Sequence, residues 1–136
     1  MKEAFILDCS VTMNWCFEDE CDFYSESILK SLEHHRAIVP PLWHLEVTNV
    51  LLIAEKRNRL TSAESTRFLD LLNSLPIYTS DLILSMPEVL TTARAYKLTS
   101  YDATYLLLAM HEGVELSTKD TALIHACSQG GIKIKK

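Results

Sequence analysis

Apolar residues along this chain gather in two kinds of run. Ala4-Phe5-Ile6-Leu7 and Ala37-Ile38-Val39 are short and unbroken, the pattern of strands covered on both faces. Pro76-Ile77-Tyr78 and Val114-Glu115-Leu116 predict two further strands. Ile132-Lys133-Ile134 predicts a fifth at a sheet edge, its alternate lysines turned outward. The segments between them read as helices. Ser10 or Thr12 caps a short one through Trp15 and Phe17, and Glu18-Asp19-Glu20 breaks it. A second spans 22–34, with Ile28, Leu29 and Leu32 on its apolar side. Pro40-Pro41 opens a third over 42–57, since proline is tolerated in a first turn. Leu60-Thr61-Ser62-Ala63-Glu64 has the capping residues of a fourth, ending near Asn73. Pro87 to Lys97, Ser100 to Gly113 and Thr121 to Cys127 complete the set, the last stopped by Gly130-Gly131.

Short apolar strands alternating with helices predict βαβ units, hence an α/β fold with a parallel sheet and helices on both faces. No repeat, linker or low-complexity stretch interrupts the pattern, so residues 1–136 are expected to form one domain.

Composition changes this picture little. Apolar residues make up 48% and charged residues 23%, ordinary for a globular chain. The net charge of -5 excludes a basic protein that grips nucleic acid through many lysines and arginines. It does not exclude an enzyme acting on nucleic acid, because divalent ions reverse the local sign of an acidic site. Cys9, Cys16, Cys21 and Cys127 form no C-x-x-C pair and the histidines lack zinc-finger spacing. A reducing, cytoplasmic setting is the expectation, and the absence of a long apolar run argues against a secreted or membrane-spanning chain.

The candidate chemistry lies in four carboxylates. Asp8 ends a buried strand, where open α/β sheets place their ligands; it also suits an Asx-turn or a helix cap. Glu46 lies on a helix beside apolar Leu42, Leu45 and Ile53, with Asn49 one turn on; it is either a buried charge in want of a cation or an exposed residue on the helix shoulder. Asp102 and Asp120 each open a helix, where an acid serves as ligand or cap equally well. Thr118 brings a hydroxyl to the same place as Asp120. Carboxylates that converge call for Mg²⁺ or Mn²⁺, which prefer oxygen ligands, and such centres act on phosphate esters.

Taken in order, Phe5-Ile6-Leu7-Asp8-Cys9-Ser10-Val11, Pro40-Pro41 with Glu46-Val47-Thr48-Asn49-Val50-Leu51, Tyr101-Asp102-Ala103-Thr104-Tyr105-Leu106-Leu107-Leu108-Ala109 and Leu116-Ser117-Thr118-Lys119-Asp120 resemble a PIN-domain ribonuclease, most of all the toxin of a VapBC toxin–antitoxin pair. The resemblance implies a three-layer α/β/α fold with strand order 3-2-1-4-5. It makes Asp8, Glu46, Asp102 and Asp120 the catalytic acids, with Thr118 and Asn49 in support. Asp8, Asp102 and Asp120 are then the metal ligands, Mg²⁺ or Mn²⁺ the cofactor and RNA the substrate. It also implies a cognate antitoxin and a homodimer. Trp15 and Phe23, in an aromatic group with Met13, Phe17 and Tyr24, are candidates for the antitoxin groove, although core packing explains such a group as well. One departure is Asn14, where relatives often carry lysine.

Two other readings compete. The chain is either this ribonuclease or a catalytically silent PIN-like module that only binds RNA or protein. Asp8-Cys9-Ser10-Val11-Thr12 also faintly resembles the Asp-x-Asp-x-Thr loop of haloacid-dehalogenase-like phosphatases, but their second acid is Ser10 here.

Overall fold

Strand β1 (Glu3–Leu7) runs through the middle of a parallel sheet in a computed structural model that describes residues 3–136. On one side it pairs with β2 (His35–Val39), Phe5 opposite Ala37 and Ile6 opposite Ile38. On the other it pairs with β4 (Glu115–Ser117), Ile6 opposite Leu116 and Leu7 opposite Ser117. β3 (Ile77–Thr79) adds to the far side of β2, giving the order β3-β2-β1-β4. The unbroken apolar run of β1 follows from this central place: Phe5, Ile6 and Leu7 are buried completely or nearly so.

Among the described residues seven α-helices flank the sheet. They are α1 (Cys9–Asn14), α2 (Phe23–Ser31), α3 (Pro41–Lys56), α4 (Ser62–Ser74), α5 (Met86–Tyr96), α6 (Ser100–Glu112) and α7 (Thr121–Gly130). Five of the seven begin at a side-chain cap, while α1 and α3 do not. Asp22, Ser85 and Thr99 cap α2, α5 and α6 through their side chains. Thr61 and Glu64 form a reciprocal capping box at α4. α6 buries Tyr105, Leu106, Leu107 and Leu108 in succession and stops at Gly113, whose φ of 66° a side chain would oppose. The core runs from the sheet through Val11, Ile28, Trp43, Val47, Leu106 and Leu123.

Three expectations need correction. The first helix starts at Cys9, not after a Ser10 or Thr12 cap, because the Asp8 carbonyl already accepts from Val11 and Thr12 N–H at 3.2 and 3.3 Å. The expected fifth strand is a single parallel bridge between Leu116 and Ile134. Ile132 N–H is still occupied at the end of α7, on the Cys127 carbonyl, so ladder bonds begin only with the Lys133 carbonyl and Lys135 N–H, both on Leu116. Nor do the tail lysines both face water. Lys133 is exposed, but Lys135 is 8% exposed, its ammonium over the Phe5 ring and its carbonyl accepting from Tyr24 Oη at 2.8 Å.

The chain leaves β1 toward β2, and β4 returns on β1's other side. The carboxyl ends of β1 and β4 therefore flank a switch point, the crevice where α/β sheets hold ligands.

Candidate active site

The ends of β1 and β4 are stitched at this crevice. Asp8 N–H donates to the Ser117 carbonyl at 3.0 Å, and Ser117 Oγ donates to the Ile6 carbonyl at 2.9 Å. Asp8 stands at the N-cap position of α1, yet its carboxylate makes no capping bond. Its Oδ2 instead accepts from Ser10 Oγ at 2.8 Å and Thr118 Oγ1 at 2.7 Å. The residue is 5% exposed. Burial pushes its pKa up against the pull of the Thr118 and Ser10 hydroxyls, and the charge of Asp120 pushes the same way as burial.

Asp120 does cap its helix: Oδ1 accepts from Ala122 and Leu123 N–H at 2.9 and 3.4 Å. Its own N–H donates to Thr118 Oγ1 at 3.0 Å, so one threonine hydroxyl spans both aspartates. Asp102 lies in the first turn of α6, but there the cap is Thr99, whose Oγ1 accepts from Asp102 N–H at 3.1 Å. The Asp102 carboxyl is pushed up to about 7, first by burial, then by the charge of Asp120 and a carboxyl–carboxyl hydrogen bond with it, and after that by Asp8 and Glu46.

Glu46, half-buried on α3, accepts from Tyr105 Oη at 2.5 Å. Burial raises its pKa, the Tyr105 bond opposes this, and the charge of Asp8 adds to the rise. Four elements thus bring Asp8, Glu46, Asp102 and Asp120 within Coulombic reach of one another. Among the described residues no lysine, arginine or histidine forms an ion pair with any of the four. Nor, among the described residues, do three or more His, Cys, Asp or Glu side chains stand close enough together to hold a metal ion in this arrangement. The cluster is a concentration of negative oxygen, and its donor chemistry suits a hard divalent cation.

The remaining candidates are placed differently. Asn49 is exposed, one turn beyond Glu46, and lines a groove with Leu45, Glu46, Leu52 and Tyr101. Trp15 is half-buried against the core, and its Nε1 donates to the Ser25 carbonyl at 2.7 Å, tying α1 to α2. Phe23 is 87% exposed at the start of α2. Asn14 receives a hydrogen bond from Lys119 Nζ, which also pairs with Asp22 at 2.6 Å. A lysine ammonium therefore does sit beside position 14, delivered from the loop before α7. Two contributors escaped the sequence reading. Ser10 reads as a helix cap, although its spacing two residues after Asp8 is that of a hydroxyl turned back on an acid. Tyr105 lies three residues after Asp102, on the same side of a helix.

The family pattern of the PIN domain matches residues 5–128. This chain belongs to the PIN domain family. PIN domains are generally metal-dependent nucleases. Among solved structures, the protein PAE2754 from Pyrobaculum aerophilum is similar to this PIN domain with a TM-score of 0.72 and 24% identity. The similarity covers 93% of this chain and 87% of that one, and at this identity it speaks for the fold. No curated protein sequence matches. Among the described residues no helix is long and apolar enough to cross a membrane.

Proposed function

We propose that this PIN domain is a Mg²⁺- or Mn²⁺-dependent endoribonuclease, the toxin of a VapBC-type toxin–antitoxin pair acting in the cytoplasm as a homodimer. The observation that carries the nuclease reading is the gathering of Asp8, Glu46, Asp102 and Asp120 at the β1–β4 switch point with no basic side chain paired to them among the described residues. Such a cluster persists at a cost in repulsion unless a cation neutralises it.

Asp8, Asp102 and Asp120 are the residues to hold the ion. When bound, a divalent ion polarises a phosphodiester oxygen and lowers the pKa of a water beside it. The chain's own groups do the rest. Thr118 and Ser10 fix the Asp8 carboxylate, and the α7 N-terminus fixes Asp120. Asp102 and Glu46, both half-buried, orient the attacking water and accept its proton, Glu46 also reaching the ion through a water. The water oxygen joins phosphorus in line with the 3′-oxygen, which leaves and takes up a proton. The products carry a 5′-phosphate and a 3′-hydroxyl. Exposed Asn49 and half-buried Lys119, at the edge of this centre, suit contacts to the RNA backbone. Phe23 offers an apolar contact for the antitoxin.

The deciding assay incubates the purified chain with RNA and with a phosphomonoester, each with Mn²⁺ or EDTA. Cleavage of RNA alone, only with Mn²⁺ and lost in Asp120→Asn, is the expected result. RNA bound but not cut marks a silent binding module, and hydrolysis of the monoester marks a phosphatase. Expression of the chain with and without the product of a small neighbouring reading frame tests the toxin assignment: growth arrest is expected from the chain alone and relief from the pair.

A further inference from the structure

Tyr105 is the largest fully buried side chain among the described residues. A buried phenol needs a partner, which elsewhere in proteins is often a main-chain carbonyl. Here the partner is Glu46 Oε1 at 2.5 Å, within the range of a hydrogen bond to a carboxylate. The contact joins α6 to α3 across 59 residues of sequence. Glu46 Oε2 has no hydrogen bond among the described residues. α6 therefore contributes to the cluster twice, directly through Asp102 and, one turn later, through the group that restrains Glu46.

A phenylalanine would fill the same space without the burden of a buried hydroxyl, so packing alone does not account for a tyrosine. We infer that Tyr105 is a positioning residue: its hydroxyl holds one oxygen of Glu46 and thereby presents the other to the cation site in a single orientation. This rests on the nuclease reading above. The relation is that of an outer hydrogen-bond partner to a metal-site carboxylate, whose loss typically weakens affinity or activity about 10- to 100-fold.

The test compares wild type, Tyr105→Phe, Glu46→Ala and the double variant. Mn²⁺ affinity is read from the electron paramagnetic resonance of free Mn²⁺, alongside kcat and KM for RNA and thermal unfolding. Tyr105→Phe is expected to weaken Mn²⁺ binding and lower kcat by about tenfold each, with KM unchanged. In the Glu46→Ala background the same change is expected to add nothing, because the interaction it removes is already gone. Wild-type affinity and kcat in Tyr105→Phe would overturn the inference, whatever happens to its melting temperature. A second measurement needs no variant: the Tyr105 Cζ resonance of wild-type protein is expected to shift on addition of Mg²⁺, and an unmoved resonance contradicts the assignment. Wild type that binds Mn²⁺ without cutting RNA removes the nuclease reading and leaves Tyr105 to be judged by affinity. Wild type that does neither overturns both.

Discussion

Thr118 donates its hydroxyl to Asp8 at 2.7 Å across the seam between two neighbouring strand ends. Ser10 donates to the same oxygen at 2.8 Å. Both donors are neutral, so the carboxylate is oriented and solvated by the protein while its charge stays uncancelled. A structural aspartate buried to this degree ordinarily meets a cationic partner. Asp8 has hydroxyls and other acids around it instead.

Without metal, the charge on Asp8 is therefore a burden to the fold. Asp8→Asn is expected to raise the melting temperature by a few degrees in EDTA and to abolish Mn²⁺-dependent RNA cleavage. Differential scanning fluorimetry and a gel assay check the two halves. A mutant that melts at or below the wild-type temperature in EDTA would mean that the bonds from Ser10 and Thr118 outweigh the repulsion.

The same charges set a pH dependence. The Asp102 carboxyl is raised to about 7 by burial and its acidic neighbours, and those of Asp8 and Glu46 are raised too. The folded state then holds protons that the unfolded chain has released. Metal-free stability should be greatest near pH 4 and fall as pH rises through about 7. Asp22 works in the opposite sense, but Lys119 holds its pKa down to about 2, so its contribution is lost only in stronger acid. Urea midpoints in EDTA at about pH 5 and about pH 8 are expected to differ in favour of the lower, and Asp102→Asn to shrink the difference. A pH-independent midpoint would contradict the clustering.

Trp15 and Phe23, both candidates for an antitoxin contact, should respond differently to truncation. Trp15 packs on the core and bonds to Ser25, so Trp15→Ala is expected to cost about 3 kcal/mol by chemical denaturation. Phe23 is exposed, and Phe23→Ala should change stability by no more than about 0.5 kcal/mol. If an antitoxin docks here, its affinity falls with Phe23→Ala in a pull-down or by calorimetry.

Lys119 ties the loop before α7 to Asn14 and Asp22 in a half-exposed pair. Lys119→Ala should cost only about 0.5 kcal/mol, as near-surface pairs do. Its larger effect is expected on RNA: a weaker binding constant across all sequences and a salt dependence smaller by about one ion.

Strand positions were readable because β1 and β2 are short apolar runs with no competing helical spacing; Asp8, Asp102 and Asp120 stand out because each sits where a helix begins, whereas Glu46 lies inside α3. What escaped the linear reading depends on distant partners. Nothing near Tyr105 in sequence tells that its hydroxyl meets Glu46, and a tyrosine in an apolar helix reads as plain core. Asp8 and Asp120 have the same local signature of an acid before a helix; only the fold separates the one that caps from the one that does not. The fifth strand was over-read because Ile132-Lys133-Ile134 has the alternation of an edge strand, while the hydrogen bond of Ile132 back to α7 delays its pairing. Lys135 was misplaced because alternation puts it on the wet face, whereas the Tyr24 bond to its carbonyl and the Phe5 ring draw it inward.

That last stretch of chain has a consequence for how molecules of this protein meet. By laying its main chain along Leu116, it shields the outer border of β4, which would otherwise offer bare amide and carbonyl groups to any extended peptide. Shortened at Gly131, the protein is expected to self-associate by strand addition, visible as larger species in gel filtration.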